Sequence, residues 1–303
     1  FRFKNCQGKE VMRMRTEQEM YDFIIRTAKE DERICAVYMN GSRTNPNAPR
    51  DIFMDYDIVY VVHETESFIE DKKWIDRFGE RLFMQYPDEN TEEPSDKHNF
   101  YGWLIQFADG NRLDLHVETI AHARENIVLD SLCIVLLDKE NVLPVVPEST
   151  DKMYWVKKPS KIQYSGCCNE FWWCLDNVAK GLWRKEIPYV QDMLNFYVRK
   201  ELERMLSWKI GVKTKFSVSI GKSGKYMYRW LSETEWNDYL ATYSSADIEE
   251  CWNAVMKICD LFKDTAIYVG ESLGYEYNQI EGKNARSYLE HVRGLPEDAV
   301  NIY

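Results

Sequence analysis

Two aspartates stand at the head of an apolar segment, with a spacing that could serve metal chemistry. Asp55 and Asp57 flank a tyrosine and lead into "DIVYVV" (57–62), which has the composition of a buried strand. Side chains two apart on a strand share a face, and two carboxylates on one face repel unless a cation lies between them. Mg²⁺ prefers oxygen ligands of this kind. A lone D-x-D, however, is more simply interpreted as two solvated aspartates at the start of a strand.

A third carboxylate strengthens the metal interpretation. Asp114 lies in the middle of "RLDLHV" (112–117), where strand alternation places Arg112, Asp114 and His116 on one face. Three carboxylates on neighbouring strands can converge on one or two divalent metals. A metal pair can hold both the entering and the leaving oxygen of a phosphoryl transfer. The number of metals stays open at this point.

A Gly-Ser pair follows the first apolar segment, "ICAVYM" (34–39). Gly41 would let the backbone approach a phosphate closely, and Ser42 with nearby N–H groups could cradle that phosphate. Gly-Ser is by itself an ordinary turn. Placed before the D-x-D and the third acid, it predicts a nucleotide site.

The charge balance limits the class of ligand. The chain of 303 residues carries a formal net charge of −11, which argues against a general nucleic-acid binder because phosphate backbones require a basic surface. An acidic surface favours a cationic small molecule, although it also serves solubility alone. No run of about twenty apolar residues predicts a membrane span.

The cysteines and the N-terminus suggest a cytoplasmic protein. The eight cysteines form no C-x-x-C pair, and neither they nor the five histidines have zinc-ligand spacing. The first residues have no apolar signal segment, so we expect reduced thiols in the cytoplasm. We also expect residues 1–13 to be an extension, with the natural start near Met12 or Met14.

Periodicity predicts an α+β chain in two parts. In the first half a capping box at Thr16 and Glu19 begins a helix, and Asp109-Gly110 predicts a hairpin turn. The remaining predicted elements are strands at 34–39, 57–62, 102–107, 112–117 and 133–138, a helix at 67–85, and a polar loop at 91–99. These elements predict a small mixed sheet flanked by helices.

The second half is predicted to be a mainly helical bundle. The two prolines of "NVLPVVPEST" (141–150) indicate the boundary, which gives domains 14–150 and 151–303. Apolar residues at helical spacing predict helices at 166–186, 189–209 and 247–273, and a capping box at Ser232 and Glu235 begins another near 233–243.

These motifs resemble a known family. "GSRTN" (41–45), "DYDI" (55–58) and "RLDLHV" are similar to the core of the nucleotidyltransferase superfamily. The motifs of the helical half resemble the aminoglycoside 6-adenylyltransferases, also called streptomycin adenylyltransferases: "KPS" (158–160), "CCNEFW" (167–172), "KGLWRKEI" (180–187) and "SWKIG" (207–211). The resemblance extends from Met14 to about residue 275 and implies a nucleotidyltransferase catalytic domain followed by a helical substrate-binding domain.

The resemblance implies transfer of AMP from Mg-ATP to a hydroxyl of an aminoglycoside, namely the 6-hydroxyl of streptomycin, with release of pyrophosphate and antibiotic resistance. Its partners would be ATP and a polycationic aminoglycoside, without nucleic acid or membrane, and the oligomeric state stays open. The alternatives are an enzyme of the same fold with another acceptor, either another antibiotic or a protein hydroxyl, and a non-catalytic nucleotide-binding module.

The resemblance also implies roles for individual residues. Asp55 and Asp57 would be Mg²⁺ ligands, while Asp114 would either complete the metal site or accept the proton of the attacking hydroxyl. Glu118 is the alternative base unless it is an exposed acid at a strand end. ATP would be held by Gly41, Ser42, Arg43, Lys180 and Arg184, and the aminoglycoside by Glu170, Trp173, Glu186 and Asp192. For the helical residues, a core tryptophan or an ordinary charged surface is the competing interpretation.

Overall fold

The computed structural model describes residues 2–4, 10–89, 92 and 94–303. The chain divides between Met153 and Tyr154 into two compact units, three residues after the predicted boundary. No helix in the described part of the chain has the length and apolar character needed to cross a membrane.

The first unit is built on a six-stranded mixed sheet. The strands of this unit are β1 (Arg2–Lys4), β2 (Glu10–Met12), β3 (Ile34–Asn40), β4 (Tyr56–Val62), β5 (Arg81–Gln85), β6 (Phe100–Phe107), β7 (Arg112–Thr119) and β8 (Cys133–Asp138). β1 and β2 form a separate pair, and the large sheet has the order β5-β6-β7-β4-β3-β8. β4 and β7 are parallel, whereas the other neighbours are antiparallel.

Helices cover the two faces of this sheet. α1 (Glu17–Glu30) begins at the capping box of Thr16 and Glu19, as predicted, and it packs against Ile58 and Tyr60 of β4. On the opposite face, α3 (Ile120–Asn126) packs with Val59 and Val61. Because side chains alternate along a strand, Asp57 faces the same side as α3.

The predicted helix at 67–85 is wrong. The segment contains the short helix α2 (Glu66–Glu70), a 3₁₀ turn (Trp74–Phe78) and β5. Gly79 ends the turn with a φ of 115°, a backbone conformation that favours glycine and that no α-helix contains. Trp74 is buried against an aromatic cluster, and this packing replaces the helical face that the apolar spacing suggested.

The second unit is helical, as predicted. Its helices are α4 (Lys161–Trp183), α5 (Ile187–Asp192), α6 (Arg199–Lys213), α7 (Glu233–Leu240), α8 (Ile248–Leu273) and α9 (Gln279–Arg293). A π-helical segment (Met193–Val198) joins α5 to α6, so the predicted helix at 189–209 is a continuous but irregular run. α7 begins at the capping box of Ser232 and Glu235. The mixed sheet and the helical unit together confirm the predicted α+β class.

Candidate active site

Three carboxylates converge at one end of β4 and β7. Asp57 lies directly opposite Asp114 in the parallel register, and Asp55 immediately precedes β4. One carboxylate oxygen from each of the three residues lies within 4.8 Å of the others. Asp114 is 9% exposed, so water screens this cluster only in part. The structure therefore brings together the three acids that the sequence singled out.

The positive charges of Arg112 and Arg43 only partly offset the burial and like charge that act on the Asp57 carboxylate. Burial raises the pKa of Asp57 to about 7, and the neighbouring charges of Asp55 and Asp114 add to this rise. Among the described residues, none donates a hydrogen bond to the Asp57 carboxylate. Hard oxygen ligands in this arrangement fit a divalent cation such as Mg²⁺, because a bound cation would relieve the repulsion that raises this pKa.

Arg112 offsets part of the negative charge. Its Nε and Nη2 atoms donate hydrogen bonds of 2.8 and 2.7 Å to the two carboxylate oxygens of Asp114. Its Nε also lies 3.9 Å from an oxygen of Asp55. Arg112 was predicted to share a face with Asp114 but had no predicted role, although the R-x-D spacing on a strand was sufficient to suggest the pair. Asp114 can therefore act as a ligand or base only if it shares its oxygens with Arg112.

Gly41 is required by the acid cluster itself. Its φ of 77° lies in the region that favours glycine, and a Cβ atom at this position would lie 2.1 Å from Oδ2 of Asp57. Close approach to Asp57 thus explains the glycine. The next residue, Ser42, begins a 3₁₀ turn (Ser42–Thr44) and is half-buried. Phosphate contact by Gly41 and Ser42 stays a prediction.

Arg43 supports the segment that precedes the acid pair. Its Nε and Nη2 atoms donate to the backbone carbonyl oxygens of Asp55 and Met54, at 2.8 and 2.7 Å. The guanidinium carbon lies 3.6 Å from the ring centroid of Tyr56, and Nη1 lies 3.3 Å from a carboxylate oxygen of Glu17. These contacts give Arg43 a positioning role, and its predicted contact with phosphate stays untested.

Glu118 lies on the same face as Asp114 but is not the exposed strand-end acid that was considered. It is 1% exposed and accepts a short hydrogen bond from the hydroxyl of Tyr38. Asn126 donates to it at 2.6 Å, and His122 lies at 2.5 Å. Proton transfer to Glu118 would have to compete with three existing partners, and its role as a base stays a prediction.

Lys180 and Arg184 lie one turn apart at the end of α4, as predicted. Lys180 forms an ion pair with Asp176 at 3.4 Å. Both basic residues line a cavity of about 610 Å³ within the helical unit. The rest of its lining comes from α4, α9 and the C-terminal segment and includes Trp183, Tyr288, Val292, Leu295 and Val300. The C-terminal part of this lining lies beyond the segment that resembles the family motifs, and a contact of either cation with triphosphate stays a prediction.

The predicted aminoglycoside residues lie on the surface of the helical unit. Trp173 is 69% exposed, whereas the adjacent Trp172 belongs to the core. Glu170 lies one turn before Trp173 on α4 and is exposed. Glu186 precedes α5 and Asp192 ends it, and both are exposed. The core interpretation is thus excluded for Trp173, while binding by these four residues stays a prediction.

Comparison with known proteins shows the family. The family model described as streptomycin adenylyltransferase matches residues 14–292. An aminoglycoside 6-adenylyltransferase of Bacillus subtilis (strain 168) is 41% identical and covers 87% of this chain and 93% of that protein. The enzyme of the same name from Campylobacter jejuni is 39% identical over 94% of this chain and 99% of that protein.

This chain belongs to the streptomycin adenylyltransferase family. The resemblance inferred from the motifs is therefore confirmed, and so is the assignment to the nucleotidyltransferases. A third relative, the aminoglycoside 6-adenylyltransferase of Staphylococcus aureus, is 34% identical and covers 92% of this chain and 99% of that protein. A crystal structure of an aminoglycoside 6-adenyltransferase from Bacillus subtilis covers 93% of this chain and 100% of its own at 35% identity, with a TM-score of 0.47.

Proposed function

We propose that this protein transfers AMP from Mg-ATP to an aminoglycoside hydroxyl, specifically the 6-hydroxyl of streptomycin, and releases pyrophosphate. The observation that carries the proposal is the convergence of Asp55, Asp57 and Asp114 within 4.8 Å in a chain of this family. A bound Mg²⁺ would neutralise charge on the triphosphate and orient its α-phosphate for attack.

The residues of the acid cluster would have different roles in metal binding and proton transfer. Asp55 and Asp57 would hold the metal, because they supply oxygen atoms without a strong cationic partner. Asp114 shares its carboxylate with Arg112 and either completes the metal site or accepts the proton of the attacking hydroxyl. Arg112 keeps the Asp114 carboxylate oriented and limits the charge repulsion in the cluster.

The nucleotide would lie beside the turn that follows β3. Gly41, with its positive φ, directly precedes the 3₁₀ turn, whose first backbone N–H groups and Ser42 hydroxyl would contact the phosphates. Such turns bind phosphate oxygens through their N–H groups. Arg43 would act indirectly by fixing the backbone of Met54 and Asp55. Lys180 and Arg184 supply the remaining positive charge toward the triphosphate in this proposal.

The acceptor would be recognised by exposed acids and an exposed aromatic ring. A polycationic drug with guanidino groups forms charge-assisted hydrogen bonds with carboxylates and stacks on aromatic faces. Glu170, Trp173, Glu186 and Asp192 offer these groups at the surface of the helical unit.

The state of the cysteines supports a cytoplasmic location. The seven described cysteines are all free thiols, as expected in a reducing compartment such as the cytoplasm.

The proposal is tested by incubating the protein with Mg-ATP and a panel of acceptors and measuring pyrophosphate release. We expect release that depends on streptomycin and is lost in Asp57→Asn. The matched control is Asp22→Asn, which removes an exposed carboxylate on α1 and should retain full activity. Release with a different acceptor alone would replace streptomycin by that acceptor, and no release with any acceptor would support a non-catalytic module.

A further inference from the structure

A second group of potential metal ligands lies at the opposite end of the sheet from the acid cluster. It consists of Cys35, the second residue of β3, His63, which follows β4, and Glu140, which follows β8. β3 is antiparallel to both β4 and β8, so its beginning lies beside their ends. Gly41 lies six positions after Cys35 in the sequence, which corresponds to about 20 Å along an extended strand.

The ligand atoms of this group lie close enough together to share one metal ion. The Cys35 sulfur, a His63 ring nitrogen and a Glu140 oxygen all lie within 4.8 Å of one another. His63 Nε2 is 3.4 Å from Glu140 Oε2. With metal–ligand distances of about 2.0 to 2.2 Å, tetrahedral zinc holds its nitrogen and oxygen ligands about 3.4 Å apart. The pair thus already has the spacing of two zinc ligands.

The backbone at Cys35 is specialised. The register between β3 and β4 shifts between Ile34 and Ala36, which leaves Cys35 as the extra residue of a β-bulge. Bulges redirect side chains and are common next to functional sites. The Cys35 side chain is fully buried, while the side chains of His63 and Glu140 are 61% and 41% exposed. A cation can therefore arrive from solvent at the outer pair and bind the thiol beneath it.

The thiol distinguishes this group from an ordinary surface ion pair. His98 and Glu66 also form an exposed pair, at 2.6 Å, but none of the described cysteines completes a metal-ligand group with them. Burial, and to a smaller extent the charge of Glu140, raises the pKa of the Cys35 thiol to about 11. A metal must therefore displace the thiol proton to solvent as the metal–sulfur bond forms. Zn²⁺ meets this requirement because it binds thiolate strongly, whereas Mg²⁺ prefers oxygen ligands.

We propose that Cys35, His63 and Glu140 form a zinc site with three protein ligands and one water molecule. The bound metal joins the ends of β3, β4 and β8 and stabilises the sheet away from the acid cluster. The site goes beyond the proposed adenylyl transfer and does not depend on it. Its ligands come from three distant parts of the sequence, which explains why the cysteine and histidine spacings gave no indication of zinc.

The test uses Co²⁺ as a spectroscopic probe on the full chain, in excess Mg²⁺ to fill the acid cluster. A thiolate bound to Co²⁺ gives a near-ultraviolet charge-transfer band, which carboxylate ligands do not produce. We expect this band in the wild-type protein and its loss in Cys35→Ser. Zn²⁺ should abolish the band by competition. Absence of the band in the wild-type protein would overturn the proposal.

Cys35→Ser places a hydroxyl in the core and can lose the band simply because the variant misfolds. Variants of the two exposed ligands are therefore tested as well. His63→Gln and Glu140→Gln alter exposed side chains, and each should weaken Co²⁺ binding about tenfold or more. His98→Gln is the matched control for an exposed histidine in an ion pair, and Cys6→Ser controls for another thiol. Both controls should retain wild-type affinity. Equal affinity in His63→Gln, or loss of the band in Cys6→Ser, would overturn the assigned ligand set.

Discussion

Replacing Asp57 by asparagine should stabilise the metal-free protein while it abolishes adenylyl transfer. The pKa of Asp57 is about 7, above its ordinary value of 3.8. Between these two values the folded state binds more protons than the unfolded state. Stability therefore falls as the pH rises through this window, and the full penalty applies above about pH 7. Asparagine carries no charge and escapes this penalty.

The magnitude follows from the size of the pKa shift. A shift of about three units, at about 1.4 kcal/mol per unit, gives an upper limit of about 4 kcal/mol. Because the carboxylate is only half-buried, solvent screening reduces this value, and we expect a gain of about 2 kcal/mol near pH 8. For a unit of this size the gain corresponds to an increase of about 4 to 8 °C in the unfolding midpoint.

The assay is thermal unfolding of wild-type and Asp57→Asn protein in the presence of a chelator, near pH 4 and near pH 8. The midpoint of the variant should exceed that of the wild type at the higher pH and match it at the lower pH. Asp114→Asn is the matched control. It removes a carboxylate that accepts two hydrogen bonds from Arg112, so it should not stabilise the protein at either pH. If Asp57→Asn is no more stable than the wild type near pH 8, the charge of Asp57 does not destabilise the folded protein as proposed.

Three further predictions concern the acid cluster and the proposed aminoglycoside site on the helical unit. Gly41→Ala places a Cβ atom where Oδ2 of Asp57 lies. It should lower kcat about a hundredfold, since a displacement of a catalytic group by about 1 Å can have this effect. A normal kcat in steady-state kinetics would contradict this prediction. Arg43→Lys loses the two hydrogen bonds to backbone carbonyl oxygens and should lower the free energy of unfolding by about 1 to 3 kcal/mol, as measured by urea denaturation. Unchanged stability would show that these contacts are dispensable. Trp173→Ala should raise the KM for the aminoglycoside about tenfold with little change in stability, because the ring is exposed. Its matched control, Trp172→Ala, should instead destabilise the core by about 3 to 5 kcal/mol, and an unchanged KM in Trp173→Ala would remove that residue from the drug site.

Short sequence motifs correctly predicted the parts of the fold that depend on residues close together in the sequence. The capping boxes at Thr16 and Ser232 each begin a helix, because capping is satisfied within four residues. The Asp109-Gly110 turn lies between β6 and β7, as expected. The three acids converge because strand alternation fixes their common face once β4 and β7 pair.

The errors and omissions come from contacts between distant residues. Apolar spacing at 67–85 suggested a helix, but Gly79 and the burial of Trp74 decide that segment. An exposed strand-end acid was one of two interpretations of Glu118, and its burial and its contact with Tyr38 on β3 exclude that interpretation. The hydrogen bonds of Arg43 to the carbonyl oxygens of Met54 and Asp55 were not predicted, while its contact with phosphate stays a prediction. Each of these partners is known only once the sheet has formed.

Mass spectrometry of streptomycin after incubation with the protein and Mg-ATP shows whether the protein transfers AMP to this drug. We expect streptomycin carrying one AMP group, attached at the 6-hydroxyl, with wild-type protein and no such product with Asp57→Asn. A wild-type protein that gives no AMP-modified streptomycin, or an Asp57→Asn variant that forms it at an undiminished rate, would contradict the assignment of Asp55, Asp57 and Asp114 to this reaction.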